Sequence, residues 1–333
     1  MEQNDRMTCK IIRKSGREET LREEWHDMED GSRMLLLKYP LLEQTGLVKH
    51  CFTTRSGGVS EGIFSSMNLS FTRGDDRKAV ETNFRRLAGA LDVDYEKFVF
   101  TDQTHTVNVR RVTAEDAGCG LTRERGYADV DGLITDVPGI VLSTFYADCV
   151  PLYFVDPVHR AIGMSHSGWR GTAARMGQVT LQAMEREYGT KPEDVLCAIG
   201  PSICQDCYEI SEDVAEAFRE AFPGHEEEIL KESPQRAENA AGIGKEQQEK
   251  RRQREESGQQ QERGQQEESG QQEGQKYQLD LWKANEIVLL EAGVLPEHLV
   301  VTDICTCCNP EVLFSHRASH GKRGNLGGFL CLK

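Results

Sequence analysis

Four short polar clusters carry the residue types that could do chemistry. They are Thr53-Thr54-Arg55-Ser56-Gly57-Gly58, Asp102-Gln103-Thr104-His105, Ala147-Asp148-Cys149-Val150-Pro151 and Ser165-His166-Ser167-Gly168-Trp169-Arg170-Gly171. Each sits where an apolar run gives way to a turn, and strand ends are where a rigid scaffold holds reactive groups. Taken singly, the cysteine reads as a small buried hydrophobe and each histidine as an ordinary hydrogen-bonded side chain. Together they put two histidines, a cysteine and two arginines at strand ends.

A zinc ion suits this residue set. A catalytic zinc site takes three protein ligands at about 2.0–2.3 Å and keeps a fourth position open. His105, Cys149 and His166 would provide two neutral imidazoles and one thiolate, leaving a net positive site that acidifies bound water. Copper, which nitrogen and sulfur donors bind more tightly, is the alternative metal. Arg55 and Arg170 would add planar forks for a phosphate or carboxylate. A thiol enzyme is the competing reading, with Cys149 as nucleophile and His166 as its base.

The elements that must position these groups read as mixed α/β layers without regular βαβ alternation. Residues 139–145, 150–155 and 161–165 are β-rich apolar runs, the second closed by Asp156-Pro157. Gly168-Trp169-Arg170-Gly171 breaks the pattern, and a helix follows with Met176, Val179, Ala183 and Met184 on one face. Further helices are expected over 211–221 and 281–292, and a strand at 299–301. The first strand is placed near Met34, so residues 1–32 read as a loosely attached flexible tail and 33–333 as one domain.

That domain is interrupted at about 232–276 by a segment of different composition. It holds one aliphatic residue larger than alanine, Ile243, and no aromatic. Glu255-Glu256-Ser257-Gly258-Gln259-Gln260 recurs at Glu267-Glu268-Ser269-Gly270-Gln271-Gln272. Such a run cannot bury enough apolar surface to offset its ordering entropy, so a disordered peripheral insertion is expected.

Composition narrows the functional classes. The 333 residues are 38 % hydrophobic and 29 % charged, with 55 acidic against 40 basic residues and a net charge of −15. This balance argues against a nucleic-acid binder and against docking on an anionic membrane. The start lacks the apolar stretch of a signal peptide, and the most apolar region, 139–155, is broken by Asp148 and Pro151. A cytoplasmic location is expected, with no obligate protein partner. Eleven cysteines, an odd number in a long chain, do not make a secreted disulfide scaffold.

Other motifs compete for metal. Cys204-Gln205-Asp206-Cys207 and Cys305-Thr306-Cys307-Cys308 would give four thiolates for structural zinc if Cys305 pairs with Cys308. Buried neighbouring thiols are the preferred reading here. His316 and His320 fall in a glycine-flanked stretch that reads as a loop. The zinc-deaminase pattern fails, because His225-Glu226-Glu227 has no Pro-Cys-x-x-Cys downstream. A multicopper oxidase is hard to build from nine histidines with no His-x-His pair.

The ordered motifs together resemble one family. They run from Phe52 through Thr53-Thr54-Arg55-Ser56-Gly57-Gly58 to Asn68-Leu69, then Asp102-Gln103-Thr104-His105 and Ala128-Asp129-Val130-Asp131-Gly132-Leu133. The Cys149 and His166 motifs, Gly200-Pro201-Ser202-Ile203 and the stretch from Cys305 to Arg317 complete the set. This is similar to the laccase-domain family, also called polyphenol oxidase or peptidoglycan-editing factor, whose members resemble purine nucleoside phosphorylases. The resemblance covers about residues 34–333 without the insertion.

It implies a layered mixed α/β sandwich like the catalytic domains of cytotoxic necrotising factors. It implies metal ligation by His105, Cys149 and His166, catalytic roles for Cys149, His166 and Arg55, and substrate contacts from Arg55, Asn68, Gln103 and Arg170. The implied activities are phosphorolysis of adenosine, inosine, guanosine and methylthioadenosine, with adenosine deamination. Cysteine-dependent editing of peptidoglycan precursors and copper-dependent polyphenol oxidation are the alternatives. The stretch Ser315-His316-Arg317 departs from the family pattern, which places an aromatic between serine and arginine.

Overall fold

Alternation along two strands defines the layers. In the computed structural model, which describes residues 10–15, 20–233 and 275–333, Leu35 and Leu37 enter one hydrophobic cluster while Met34 and Leu36 enter another. Tyr153 and Val155 likewise join the first cluster, whereas Leu152 and Phe154 join a third. Successive side chains of a strand point to opposite faces, so both sheets are covered on both sides.

The first sheet comprises β1 (Arg22–Asp27), β2 (Arg33–Lys38), β3 (Val48–Thr53), β4 (Phe98–Phe100), β7 (Val141–Tyr146) and β15 (Leu326–Leu332). Its order is β1-β2-β3-β15-β7-β4. The second comprises β5 (Val109–Arg111), β6 (Gly132–Thr135), β8 (Val150–Asp156), β9 (Ala161–Ser167), β10 (Leu196–Ile199) and β14 (Leu299–Val301), in the order β14-β10-β8-β9-β6-β5. The two sheets share the central cluster. A small third sheet holds β11 (Glu209–Ser211), β12 (Leu230–Glu232) and β13 (Lys276–Leu279) in the order β11-β13-β12.

A single turn, α1 (Pro40–Glu43), precedes β3, and α2 (Arg77–Leu91) covers the outer face of the first sheet. The α2 side chains Val80, Phe84, Leu87 and Leu91 pack with Phe98, Phe100 and Phe329. On the far side are α3 (Trp169–Ala173), α4 (Met176–Tyr188), α5 (Glu212–Ala221), the single turn α6 (Glu226–Ile229) and α7 (Leu281–Glu291). The stack is therefore helix, sheet, sheet, helices, the mixed α/β layering expected. No described helix is long and apolar enough to cross a membrane.

Two readings need correction, the tail and one turn. Residues 22–27 are not tail: β1 pairs antiparallel with β2 along its whole length, from Arg22 opposite Lys38 to Asp27 opposite Arg33. Residues 10–15 are docked as well. Ile11 is buried, and Arg13 reaches Asp303 at 3.1 Å. Trp169-Arg170-Gly171 is not a turn but the start of α3, which follows β9 directly.

The predicted insertion lies mostly outside the described residues, but its ends do not. Glu232 and Lys276 belong to strands β12 and β13, which pair antiparallel with Leu230 opposite Leu279. Strands from beyond the insertion complete both large sheets: β15 lies between β3 and β7, and β14 pairs with β10.

Candidate metal centre

Asp131 is the residue on which the site is built. It stands just before β6, its side chain is fully buried, and its two oxygens accept hydrogen bonds from the backbone N–H groups of Thr104, His105 and Thr106 at 3.2, 3.2 and 2.8 Å. This nest holds His105 in a left-handed backbone conformation, φ 66°, which a non-glycine residue adopts only when its surroundings impose it. Asp131 Oδ1 also meets Nδ1 of His166 at 2.8 Å. One carboxylate therefore orients both histidines, and His166 keeps Nε2 available as a ligand.

Burial raises the Asp131 carboxyl pKa, but the hydrogen bond and charge of His166 and the donors of Thr106 outweigh it, leaving it below its ordinary value.

Cys149 opens the third ligand position from the turn between β7 and β8. Asp148, at φ 92°, makes that turn. Its backbone carbonyl accepts from the Ile203 N–H at 3.0 Å, and its carboxylate accepts from the Thr306 hydroxyl at 2.6 Å and the Arg317 N–H at 2.7 Å. His166 lies near the end of β9. The next residue, Ser167, hydrogen-bonds to Asn285 of α7 at 3.0 Å and to Thr172 of α3 at 2.9 Å, so a buried polar network holds the strand end.

The ligand atoms of His105, Cys149 and His166 all lie within 4.8 Å of one another, and Cys149 Sγ is 4.0 Å from His105 Nε2. Two such ligands on a tetrahedral zinc stand about 3.5 Å apart, so a small inward movement closes the shell. Gly168 leaves the room for it. A Cβ there would stand 2.8 Å from the His105 ring and 3.2 Å from the Cys149 sulfur.

Electrostatics favour a ligating thiolate. Burial pushes the Cys149 thiol up, but His166 and His105 together bring it down to about 6. Burial lowers His166, and the Cys149 charge and the Asp131 hydrogen bond overcome it and lift the imidazole to about 9. Each group thus favours the charged form of the other, a thiolate beside an imidazolium.

The three ligands line a cavity of about 830 Å³. Phe71, Phe100, Tyr127, Phe145 and Tyr146 give it aromatic surface, and Arg73, Arg77, Arg123, Arg125 and Arg323 line it too. Arg323 is buried; its Nη1 donates to the Gly324 carbonyl at 3.2 Å and to the Asn325 side-chain oxygen, while its Nε has no hydrogen-bond partner. Its desolvation, with the charge of Arg73 beside it, pulls its guanidinium down to about 10, so it remains charged at neutral pH. Sequence reasoning missed both Arg73 and Arg323, as well as the role of Asp131 inside a motif it had singled out.

Four predicted substrate contacts sit elsewhere or are already engaged. Arg55 does not line this cavity. Its Nε donates to the Ser65 carbonyl at 3.0 Å and its Nη1 to that of Pro310 at 2.6 Å, and it stacks 4.6 Å over Phe314. It borders a separate pocket of about 250 Å³ that Arg323 also lines. Arg170 is exposed and lies 4.2 Å over the Trp169 ring, outside the cavity lining.

Asn68 is fully buried, accepting from the Ser70 and Asn325 N–H groups and donating to Asp75, which shapes the wall without reaching the space. Gln103 lines the cavity, but its amide is used on β7: Nε2 donates to the Phe145 carbonyl at 2.7 Å, and Oε1 accepts from the Phe145 N–H at 2.8 Å.

Residues 49–245 and 237–333 match the family model described as multi-copper polyphenol oxidoreductase laccase. The chain belongs to this laccase-like family. It is similar to the purine nucleoside phosphorylase YlmD of Geobacillus stearothermophilus, 34 % identical over 279 residues that make up 84 % of this chain and 88 % of that protein. It is also similar to adenosine deaminase RL5 from an unknown prokaryotic organism, 30 % identical over 266 residues, 80 % of this chain and 86 % of the other.

The crystal structure of YfiH from Bacillus licheniformis superposes with a TM-score of 0.73 at 30 % identity, covering 90 % of this chain and 96 % of that one. The copper in the family's description is not matched by a multicopper ligand set: among the described residues the histidine-containing metal group is His105, Cys149 and His166 alone.

Proposed function

We propose that this protein is a metal-dependent purine nucleoside enzyme. It cleaves adenosine, inosine, guanosine or methylthioadenosine with phosphate to give the free base and the ribose 1-phosphate, and it deaminates adenosine. The observation that carries this reading is the cavity itself. Three ligands that fit zinc share it with aromatic faces suited to a purine and with a buried arginine whose Nε is unpartnered. The relatives named for phosphorolysis and deamination support the same reading.

His105, Cys149 and His166 would hold a zinc ion, which would supply Lewis acidity. The remaining steps belong to the chain. The half-buried rings of Phe71 and Phe145 give the base aromatic surface to pack against. Arg323 and Arg73 fork a phosphate and bring its oxygen against C1′ of the ribose. As the new C–O bond forms, the bond from C1′ to the purine nitrogen breaks and its electrons leave with the base. Asp131 keeps His105 and His166 in place throughout, so no reorganisation of the ligands opposes the reaction.

The test is metal analysis of purified protein combined with product analysis of inosine and adenosine, each with and without phosphate. Hypoxanthine or adenine appearing together with ribose 1-phosphate, only when phosphate is present, supports phosphorolysis. Ammonia from adenosine in either condition supports deamination. Intact nucleosides with fully metallated protein would overturn the proposal.

A second reading rests on the aligned Cys149, His166 and Asp131, which in metal-free protein have the order of a thiol hydrolase triad. In that case the alternative substrate is a peptidoglycan precursor. Rapid alkylation of Cys149 in the protein as isolated would favour it; protection by one bound metal would remove it.

A further inference from the structure

Two loops about a hundred residues apart bring a second group of ligands together. Cys204 and Cys207 lie in the loop between β10 and β11, and Cys305 and Cys308 in the loop after β14. Each pair has CxxC spacing. The four sulfur atoms all lie within 4.8 Å of one another, with Cys207 Sγ 3.5 Å from Cys308 Sγ. On a tetrahedral zinc with Zn–S bonds of about 2.3 Å, neighbouring sulfurs stand about 3.8 Å apart. A disulfide would need about 2.0 Å, and the described cysteines are free thiols.

The backbone is arranged for charge on these sulfurs. Cys305 Sγ accepts from the Cys204 N–H at 3.2 Å and from the Cys308 N–H at 3.4 Å. Such donors stabilise a thiolate and are wasted on an apolar packing role. Cys204 and Cys305 are buried, while Cys207 and Cys308 are half-buried, so the group is closed on one side and open to an arriving ion on the other. The Lys14 ammonium lies 2.9 Å from Asp206, between the two cysteines of the first pair, and adds positive charge at the rim. Packing alone gives no reason for four thiols from distant loops to converge as two CxxC pairs.

We propose that Cys204, Cys207, Cys305 and Cys308 form a second metal site, a tetrahedral four-thiolate structural centre for zinc, separate from the centre built on Cys149. Soft thiolates in tetrahedral array select zinc over harder cations, and a site with four protein ligands has no open position for chemistry. Its role is mechanical. The two loops it joins are those that grip Asp148, through the Ile203 N–H and the Thr306 hydroxyl, and Asp148 makes the turn that presents Cys149. The zinc therefore anchors the far side of the catalytic turn.

The experiment is metal analysis and cobalt substitution of the full-length protein purified under reducing conditions. Two equivalents of zinc per chain are expected in the wild type, one in Cys149→Ala and one in Cys204→Ser/Cys305→Ser. The Cys149→Ala protein loaded with cobalt should show tetrahedral d–d bands and the strong charge-transfer absorption of four cobalt–sulfur bonds. Because the double variant removes buried side chains and can fail to fold, the Cys149→Ala spectrum decides independently. One equivalent in the wild type with none in Cys149→Ala overturns the proposal. So does an intact mass lowered by two or four hydrogens that maps to disulfides among these cysteines.

Discussion

Asp131 and His166 share a 2.8 Å hydrogen bond, and the same carboxylate closes a ring of three successive N–H donors around His105. Two ligands on different elements are thus set by one side chain. Asp131→Asn replaces a carboxylate oxygen with a donor that faces other donors. Metal affinity should fall by about 10–100-fold, the usual cost of losing such a partner. Competition with a chelator, comparing the variant with the wild type, measures it; unchanged affinity would show that the histidines hold themselves.

Phosphate should depend on Arg323 more than on Arg55. Arg323 lines the cavity shared by His105, Cys149 and His166, with an unpartnered Nε, whereas Arg55 lies outside that cavity and is held on two carbonyls and a ring. Lysine cannot reproduce the planar fork. Arg323→Lys should weaken phosphate by about tenfold, or ~1.4 kcal/mol, with little change for the nucleoside. Arg55→Lys should leave phosphate binding unaltered and lower thermal stability. Phosphate-dependent shifts in melting temperature test both variants without relying on turnover; equal loss in the two would refute the distinction.

Acid should weaken the fold through His50. Burial, with Lys38 nearby, holds its imidazole down to about 3, and the neutral ring accepts the Tyr39 N–H at 2.8 Å. From the ordinary value near 6.5 down to about 3, the unfolded chain takes up a proton that the folded chain refuses. Stability therefore falls as pH falls through that window, by roughly 2–3 kcal/mol between pH 7 and pH 4.5 from this residue. His50→Gln keeps an acceptor that does not titrate. Urea unfolding at the two pH values should show a smaller acid loss for the variant, and an identical loss would exclude His50 as the cause.

Cleavage within 234–274 should leave the halves together. β14 and β15 follow the cut in sequence, yet they complete sheets begun before it, and β13 pairs with β12 across it. Limited proteolysis followed by gel filtration in native buffer should show two fragments co-eluting. Their separation would contradict a single domain.

The convergence of His105, Cys149 and His166 was legible because chemistry and strand ends coincide in short motifs around them. The layers were legible where apolar runs are long, as in β7, β8 and β9. β1 was not, because Arg22-Glu23-Glu24-Trp25-His26-Asp27 is a charged edge strand with one neighbour, and edges are kept polar to resist further pairing. Arg73 and Arg323 stand in glycine-adjacent stretches without periodicity, and only tertiary packing brings them to the cavity. Arg55 and Gln103 stand in conspicuous motifs, but their polar atoms satisfy backbone groups, which composition cannot reveal. The thiol group was obscured because Cys305-Thr306-Cys307-Cys308 offers three cysteines, and only geometry selects two of them.

The antiparallel pairing of β12 with β13 has a further consequence for how this chain tolerates length. The Ser233 N–H donates to the Lys276 carbonyl at 3.0 Å, so the polypeptide leaves and re-enters the body at almost the same point. Closing such a loop costs entropy that grows only with the logarithm of its length, about 0.6 kcal/mol per doubling. Length there is nearly a free variable. A reporter whose own termini lie close together could be grafted between residues 234 and 274, and the folded body would carry it with both large sheets untouched.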